Sequence, residues 1–307
     1  MNAVSLTFDH VTVLGTATVD ALRDVPAGWV VDCTLGGGGH SELLLESLSH
    51  VRVLGVDRDP QALKAAQERL CKYGPRFEAV HAPFGDLSVV CKQHNISKFV
   101  GVIADLGVSS HQLDTEDRGF SFRYDGPLDM RMDPTRGQTL ADKLRRTSKR
   151  ELADVLYYFG DVRASHRVAD AILAAYGDGV RGTSQLADCI AAVLPRGGKI
   201  HPATRAFQAL RMWVNDEIEQ LERLVATVPY LLSPGGVFAV ISFHSGEDRV
   251  VKQVFREFAR GKTSSFELPH RKPLTPTPQE CAQNPRARSA KLRVLRFRGA
   301  SAEQEAS

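Results

Sequence analysis

Trp29-Val30-Val31-Asp32-Cys33-Thr34-Leu35-Gly36-Gly37-Gly38-Gly39-His40-Ser41 is the stretch on which the fold turns. A short apolar run closing on an acid reads as a buried parallel strand, and a helical pattern begins at Ser41. Glycine loses more conformational freedom on folding than any other residue. Four in a row between a strand and a helix therefore imply that the backbone takes positive φ there or lies against a ligand. No Lys-Ser/Thr follows as in a phosphate-binding P-loop. Ser41 also stands where a dinucleotide fingerprint would want its third glycine.

Outward from this turn the same rhythm repeats. Val51 to Val56, Phe77 to Val80, Val100 to Ala104 and Val237 to Ile241 read as further buried strands. Ser41 to Leu48, Pro60 to Tyr73 and Gly85 to Asn95 read as the helices between the first four, with Pro60 at a first helical position. The fold class is α/β, and right-handed crossovers give a doubly wound sheet. About 130 residues separate the fourth strand from the fifth, and they carry helical spacing at Thr147 to Phe159, Arg163 to Tyr176, Thr183 to Val193 and Ala203 to Val228. Thr147 and Thr183 are the expected caps, and the last helix is expected to rejoin the sheet. A mostly helical insertion is implied. Lys262 to Ser289 contains five prolines and reads as a long surface loop, Leu292 to Phe297 as a returning strand, and Ser301 to Ser307 as a loose polar tail.

Composition narrows the class. The chain has 307 residues, 43% hydrophobic and 24% charged, which is globular rather than disordered. There is no apolar run near the roughly 18 residues of a spanning helix and no leader-like N-terminus, so a soluble, cytoplasmic protein is expected. Five cysteines without a C-x-x-C pair suggest neither a zinc cluster nor a disulfide framework. Net charge is +3, but Arg256 to Arg298 holds 11 Lys/Arg against 3 Asp/Glu, a local +8 on a body of about −5. Such a basic segment is either a solvated arm or a phosphate-contacting one.

Three strand ends carry the chemistry. An acid followed by a glycine turn resembles the first motif of class I S-adenosylmethionine-dependent methyltransferases. The second strand closes on Gly55-Val56-Asp57-Arg58-Asp59, about 20 residues on, and a carboxylate there can accept both ribose hydroxyls of NAD or adenosylmethionine alike. The fourth strand closes on Asp105-Leu106-Gly107-Val108-Ser109-Ser110, at the switch point where ligands bind; Asp105 either caps the next helix or faces the reacting group.

The segment Asp117-Arg118-Gly119-Phe120-Ser121-Phe122-Arg123-Tyr124-Asp125-Gly126-Pro127-Leu128-Asp129-Met130-Arg131-Met132-Asp133 mixes charge, aromatics, Gly and Pro, which suits a functional loop more than a core element. Together with Asp105 to Ser110, it closely resembles the bacterial ribosomal RNA small subunit methyltransferase H family, also called MraW. The resemblance continues in His201 to Arg211, in Ile241-Ser242-Phe243-His244-Ser245-Gly246-Glu247-Asp248-Arg249 and in Asn284 to Ser289, and spans nearly the whole chain.

The resemblance implies a class I, Rossmann-like methyltransferase that transfers methyl from S-adenosylmethionine to N4 of a cytidine in the decoding region of 16S ribosomal RNA, in the small subunit. It places the cofactor-binding part at residues 1–112 and 203–307, with an inserted helical substrate-recognition part at 113–202. Cofactor contacts are implied at Gly38, Gly39, His40, Asp57, Phe84, Asp105 and Gln112. Asp105 is also the catalytic candidate, orienting the target amine. Arg286, Arg288, Lys291 and Arg293 would grip RNA phosphates. No metal is expected and no nucleophilic cysteine is needed, as it would be for methylation at a pyrimidine carbon.

Departures from the family pattern are Gly37 for a basic residue, His111 for proline and Gly246 for leucine. His111 is read as an exposed loop histidine or a general base, and His244 as a holder of the target base or of loop backbone groups. Two rivals remain at this level: a methyltransferase of the same fold acting on a non-RNA substrate, and a binding module that has lost catalysis.

Overall fold

The computed structural model describes residues 12–195, 200–261 and 263–299; the polar tail expected at Ser301 to Ser307 lies outside them. The chain divides into a sheet unit, residues 1–107 and 219–307, and a helical unit, residues 108–218. The sequence expectation placed these limits at 113 and 202.

The sheet unit is built on strands β1 (Gly28–Asp32), β2 (Val51–Asp57), β3 (Phe77–His81), β4 (Phe99–Asp105), β5 (Leu232–Ser242), β6 (Phe266–Glu267) and β7 (Lys291–Phe297), in the order β3-β2-β1-β4-β5-β7-β6. The first five are parallel and β7 is antiparallel to both β5 and β6. Helices α1 (Gly15–Leu22), α2 (Gly39–Ser47), α3 (Pro60–Leu70) and α4 (Leu87–Gln93) precede the insertion.

Alternate residues of each strand feed two cores, as the pleat dictates. Val30, Val53, Ile103, Val237 and Ile241 pack with Leu44, Leu63 and Leu70 on one face. On the other, Val31, Leu54, Val102, Phe238 and Val240 pack with Leu87, Leu224 and Phe255. Because both faces are covered, the central strands are apolar throughout, which is why they are so plain in the sequence. α3 begins where it does because Pro60 takes the first helical position and the Asp59 carboxylate accepts the Gln61 N–H at 3.0 Å.

The helical unit holds α5 (Ser110–Asp114), α6 (Leu140–Arg146), α7 (Lys149–Gly160), α8 (Ser165–Gly177), α9 (Thr183–Ala192) and α10 (Thr204–Val214). Its own core includes Leu152, Leu156, Ile172, Ile190 and Leu210. The single helix expected over Ala203 to Val228 is two: α10, and α11 (Glu217–Thr227), broken at Asn215-Asp216, where Asp216 is left-handed at φ 51°. The break is held from afar, since Asn215 Nδ2 donates to Met130 O at 2.8 Å and Met132 N–H donates to Asn215 Oδ1 at 2.7 Å. The expected caps also move by one residue, to Ser148 for α7 and to Gly182 for α9; the Thr183 hydroxyl instead accepts the Gly126 N–H at 3.0 Å.

The unusual segment at 117–133 is a scaffold of this unit. Phe120, Leu128, Met130 and Met132 lie in its core, and the Arg118 guanidinium, 6% exposed, donates to the carbonyls of Arg131 and Met132 at 3.1 and 2.8 Å. Gly119, at φ 68°, has no room for a side chain: a Cβ would stand 2.1 Å from Pro127 O. Beyond β5 come α12 (Ser245–Phe258) and α13 (Pro278–Gln283), so the expected loop from Lys262 carries a short strand and a helix before β7. Among the described residues no helix is long and apolar enough to cross a membrane.

Candidate functional site

The strand ends come together through the register. Asp32 pairs with Gly55 and Ile103, Asp57 with His81, and Asp105 with Ile241, so three acids close adjacent strands at the carboxyl edge of the sheet. There the turns into helices leave N–H groups and open space, the usual place for a ligand in an α/β sheet.

Asp32, 1% exposed, works inward: its carboxylate accepts the Ser41 hydroxyl at 2.8 Å and the Thr34 N–H at 3.2 Å, tying the turn to α2. Burial pushes its pKa above the usual carboxylate range despite His40 and Ser41. The glycine turn takes positive φ at Gly36 (51°) and Gly38 (81°), which only glycine adopts cheaply; Gly38 precedes the first residue of α2, Gly39. The Gly36 N–H donates to Asp57 Oδ2 at 2.8 Å, and the Asp59 N–H to Asp57 Oδ1 at 2.8 Å. Burial nevertheless lifts the Asp57 carboxyl to about 6, because two backbone hydrogen bonds do not replace the lost water. Each oxygen keeps further lone-pair capacity for a hydroxyl donor.

His40, 7% exposed, places Nε2 at 3.5 Å from Asp105 Oδ2, a charge contact without hydrogen-bond geometry. Burial depresses its pKa, but Asp105 and Asp32 outweigh that and the net shift is upward. Asp105 is fixed from behind, its N–H donating to Thr34 Oγ1 at 2.6 Å, while Oδ1 is a buried acceptor with no partner among the described residues. A buried carboxylate oxygen left unsatisfied costs free energy, and such atoms mark places where a ligand donor belongs. Thr34 was not singled out in the sequence; a hydroxyl two residues past a strand-end acid was its only signal. Phe84 lies half-buried in the single turn Phe84–Asp86 after β3, beside Gly85, whose N–H donates to Gln220 Oε1 at 3.0 Å.

Gly38, Gly39, His40, Asp57, Phe84 and Asp105 thus gather at one edge of one unit. Gln112 belongs to the helical unit, where it completes a capping box on α5: its N–H donates to Ser109 Oγ and its Oε1 accepts the Ser109 N–H. His111 is the half-buried second residue of that helix, not an exposed loop residue. His244 resolves toward the backbone: Nδ1 accepts from the Gly246 and Glu247 N–H groups, and Glu247 Oε2 accepts from those of Phe243 and His244, which caps α12.

The four basic residues at the C-terminal end differ in kind. Arg286 and Arg288 are exposed on the single turn Pro285–Ser289. Arg293, its side chain 13% exposed, pairs with Asp248 through Nε at 2.7 Å, and Lys291 reaches the same carboxylate at 3.3 Å. Burial raises Asp248, but the two cations hold it below its ordinary value. Arg293 is therefore a strut between β7 and α12.

A mixed sheet of this strand order, with a glycine turn after β1 and acids closing β2 and β4 around an unsatisfied acceptor, defines a Rossmann-like methyltransferase. Within that class the chain belongs to the MraW methylase family, whose model matches residues 7–298. It is 46% identical over 305 residues to the ribosomal RNA small subunit methyltransferase H of Trichlorobacter lovleyi, covering 94% of this chain and 97% of that protein. It is 46% identical over 290 residues to the protein of the same name from Synechococcus elongatus, and 45% identical over 307 residues to that from Geobacter sulfurreducens.

Proposed function

We propose that this protein methylates N4 of a cytidine in the decoding region of 16S ribosomal RNA, in the cytoplasm and on the small ribosomal subunit. The coarser statement, a methyltransferase of small-subunit ribosomal RNA, follows the names of its relatives across nearly their whole length. The observation that carries the finer reading is Asp105: a buried carboxylate oxygen without a partner among the described residues, at the same sheet edge as Asp57.

The cofactor is S-adenosylmethionine, which supplies a sulfonium methyl group to a nucleophile. The residues present fit it. Asp57 would accept the ribose hydroxyls, the Gly38-Gly39 backbone and His40 would hold its amino acid end, and Phe84 would offer an apolar ring to the adenine. Gln112 is a cofactor contact by the family resemblance alone, and the helical unit is the part we assign to RNA recognition.

An exocyclic amine is a poor nucleophile because its lone pair is delocalised into the ring. Asp105 Oδ1 accepts one of its N–H bonds, returning electron density to nitrogen and fixing the direction of attack. The Thr34 hydroxyl anchors the Asp105 backbone, and His40 Nε2 stands 3.5 Å from its carboxylate. Arg286, Arg288 and the partly exposed Lys291 contact phosphates, with the target base turned out of its stack.

The test is transfer of labelled methyl from S-adenosylmethionine to small subunits lacking the modification, followed by nucleoside digestion and mass analysis. Label in N4-methylcytidine of 16S RNA is the expected result. Label in another nucleoside, or none with cofactor bound, overturns the reading.

A further inference from the structure

α12 starts at the carboxyl edge of the sheet, directly after β5, whose Ile241 pairs with Asp105. Its inner face buries Val251 and Phe255 and turns Asp248 toward β7. Its outer face carries Arg249, Lys252 and Arg256, with Arg260 just past the helix end. Steps of three, four and four residues keep these cations on one side, over a length of roughly 16 Å. With Gln253 and Glu257 they line a groove of about 370 Å³.

What marks this stripe is that its cations share one helix face and none is paired with any described acid, unlike the arginines that brace the fold. Among the described residues, Arg69, Arg131, Arg211 and Arg293 each face a carboxylate within 2.8 Å. Arg249, Lys252, Arg256 and Arg260 make no ion pair with any described residue, and Glu257, the one acid lining the groove, spends Oε1 on the Gln253 amide at 3.2 Å. Four neighbouring cations on one face repel one another, and helix stability gains nothing from the arrangement. An extended polyanion is the ligand that turns this repulsion into binding energy.

We propose that the α12 stripe is a docking track for the sugar-phosphate backbone of the RNA, leading the strand toward the carboxyl edge without reading its sequence. The inference rests on RNA being the substrate. It adds a surface apart from Arg286 and Arg288.

The test compares three full-length proteins with wild type: R249Q/R256Q, the quadruple R249Q/K252Q/R256Q/R260Q, and K64Q/K92Q, which removes two exposed cations from other helices. Binding of a fluorescein-labelled single-stranded RNA of about 24 nucleotides is followed by anisotropy across salt. Each lost phosphate contact lowers the slope of log K against log salt by about 0.7. The slope is expected to fall by about 1.4 in the double and about 2.8 in the quadruple variant, with K64Q/K92Q unchanged. Cofactor affinity and melting temperature should not move, and for subunit methylation KM should rise at constant kcat.

A quadruple variant with the wild-type slope, or a control that shifts as much as R249Q/R256Q, overturns the track. So does loss of binding to phosphatidylglycerol vesicles with RNA binding intact. Wild type that binds no RNA at any salt refutes the RNA reading itself, which is a different outcome.

Discussion

Lowering the pH from 7.0 to 5.0 should weaken binding of S-adenosylhomocysteine about tenfold, and Asp57 is the reason. Its carboxyl titrates at about 6, lifted by burial against the two backbone donors that hold it. A ribose diol donates to the ionised form. At pH 7.0 about nine molecules in ten carry that form, and at pH 5.0 about one in eleven, so the apparent affinity falls about tenfold, or about 1.4 kcal/mol. The ligand's own amino group stays protonated throughout this window.

Linkage gives the opposite sign for the free protein. The folded pKa of Asp57 lies above the ordinary 3.8, so its contribution to stability is present below about 4 and is lost as pH rises through about 6, by at most about 3 kcal/mol. D57N should therefore melt no lower than wild type at pH 7.5, bind the ligand weakly, and show a much smaller pH dependence from 5 to 7, the remainder belonging to His40, whose pKa is also raised. Isothermal titration at the two pH values, with melting curves alongside, checks all three. Equal wild-type affinities at pH 5.0 and 7.0, or an undiminished trend in D57N, would refute the reasoning.

Three further outcomes follow from other residues. D105N should lower methylation kcat about a hundredfold while changing cofactor affinity far less, because the acceptor acts on the amine; single-turnover kinetics with equilibrium binding separates the two. G119A should cost about 3 kcal/mol or more, since a left-handed backbone and a Cβ at 2.1 Å from Pro127 O both oppose it, and proteolysis should report the loosened helical unit. R293M should cost about 2–3 kcal/mol by leaving Asp248 without its main partner, yet leave the RNA salt slope unchanged. Because Asp248 is held below its ordinary value, that pair stabilises above about pH 4 and the contribution fades as pH falls further, so urea melts of wild type and R293M should converge in acid.

The parts of the fold that were legible are those whose cause is local. β1, β2, β4 and β5 are covered on both faces and show as apolar runs, and α3 announces itself through Asp59 and Pro60. The break between α10 and α11 has no glycine or proline to mark it. It is made by Asn215 reaching Met130 and Met132, more than 80 residues away in the chain, and no local pattern encodes such a partner. The same holds for the 117–133 segment: its mixture of Arg, Gly and Asp reads as a functional loop rather than a core element, and no local pattern shows that Arg118 is buried with its donors on backbone carbonyls of its own unit.

Charge shows the same division within the site. Asp32, Asp57 and Asp105 are equivalent as letters, each an acid closing a strand. Packing turns the first inward to Ser41, commits the second to two N–H groups with capacity to spare, and leaves the third with an empty oxygen. Counting cations from Arg256 to Arg298 yields +8 correctly but does not say which of them are paired. Asp248, which lies outside that segment, pairs closely with Arg293 and more loosely with Lys291, while the neighbouring turns of the same helix present Arg249 and Lys252, also outside it, in line with Arg256 and Arg260. A salt slope that responds to Arg249 and Arg256 but not to Arg293 would show that RNA affinity here follows which cations lack a carboxylate, not how many stand together in the sequence.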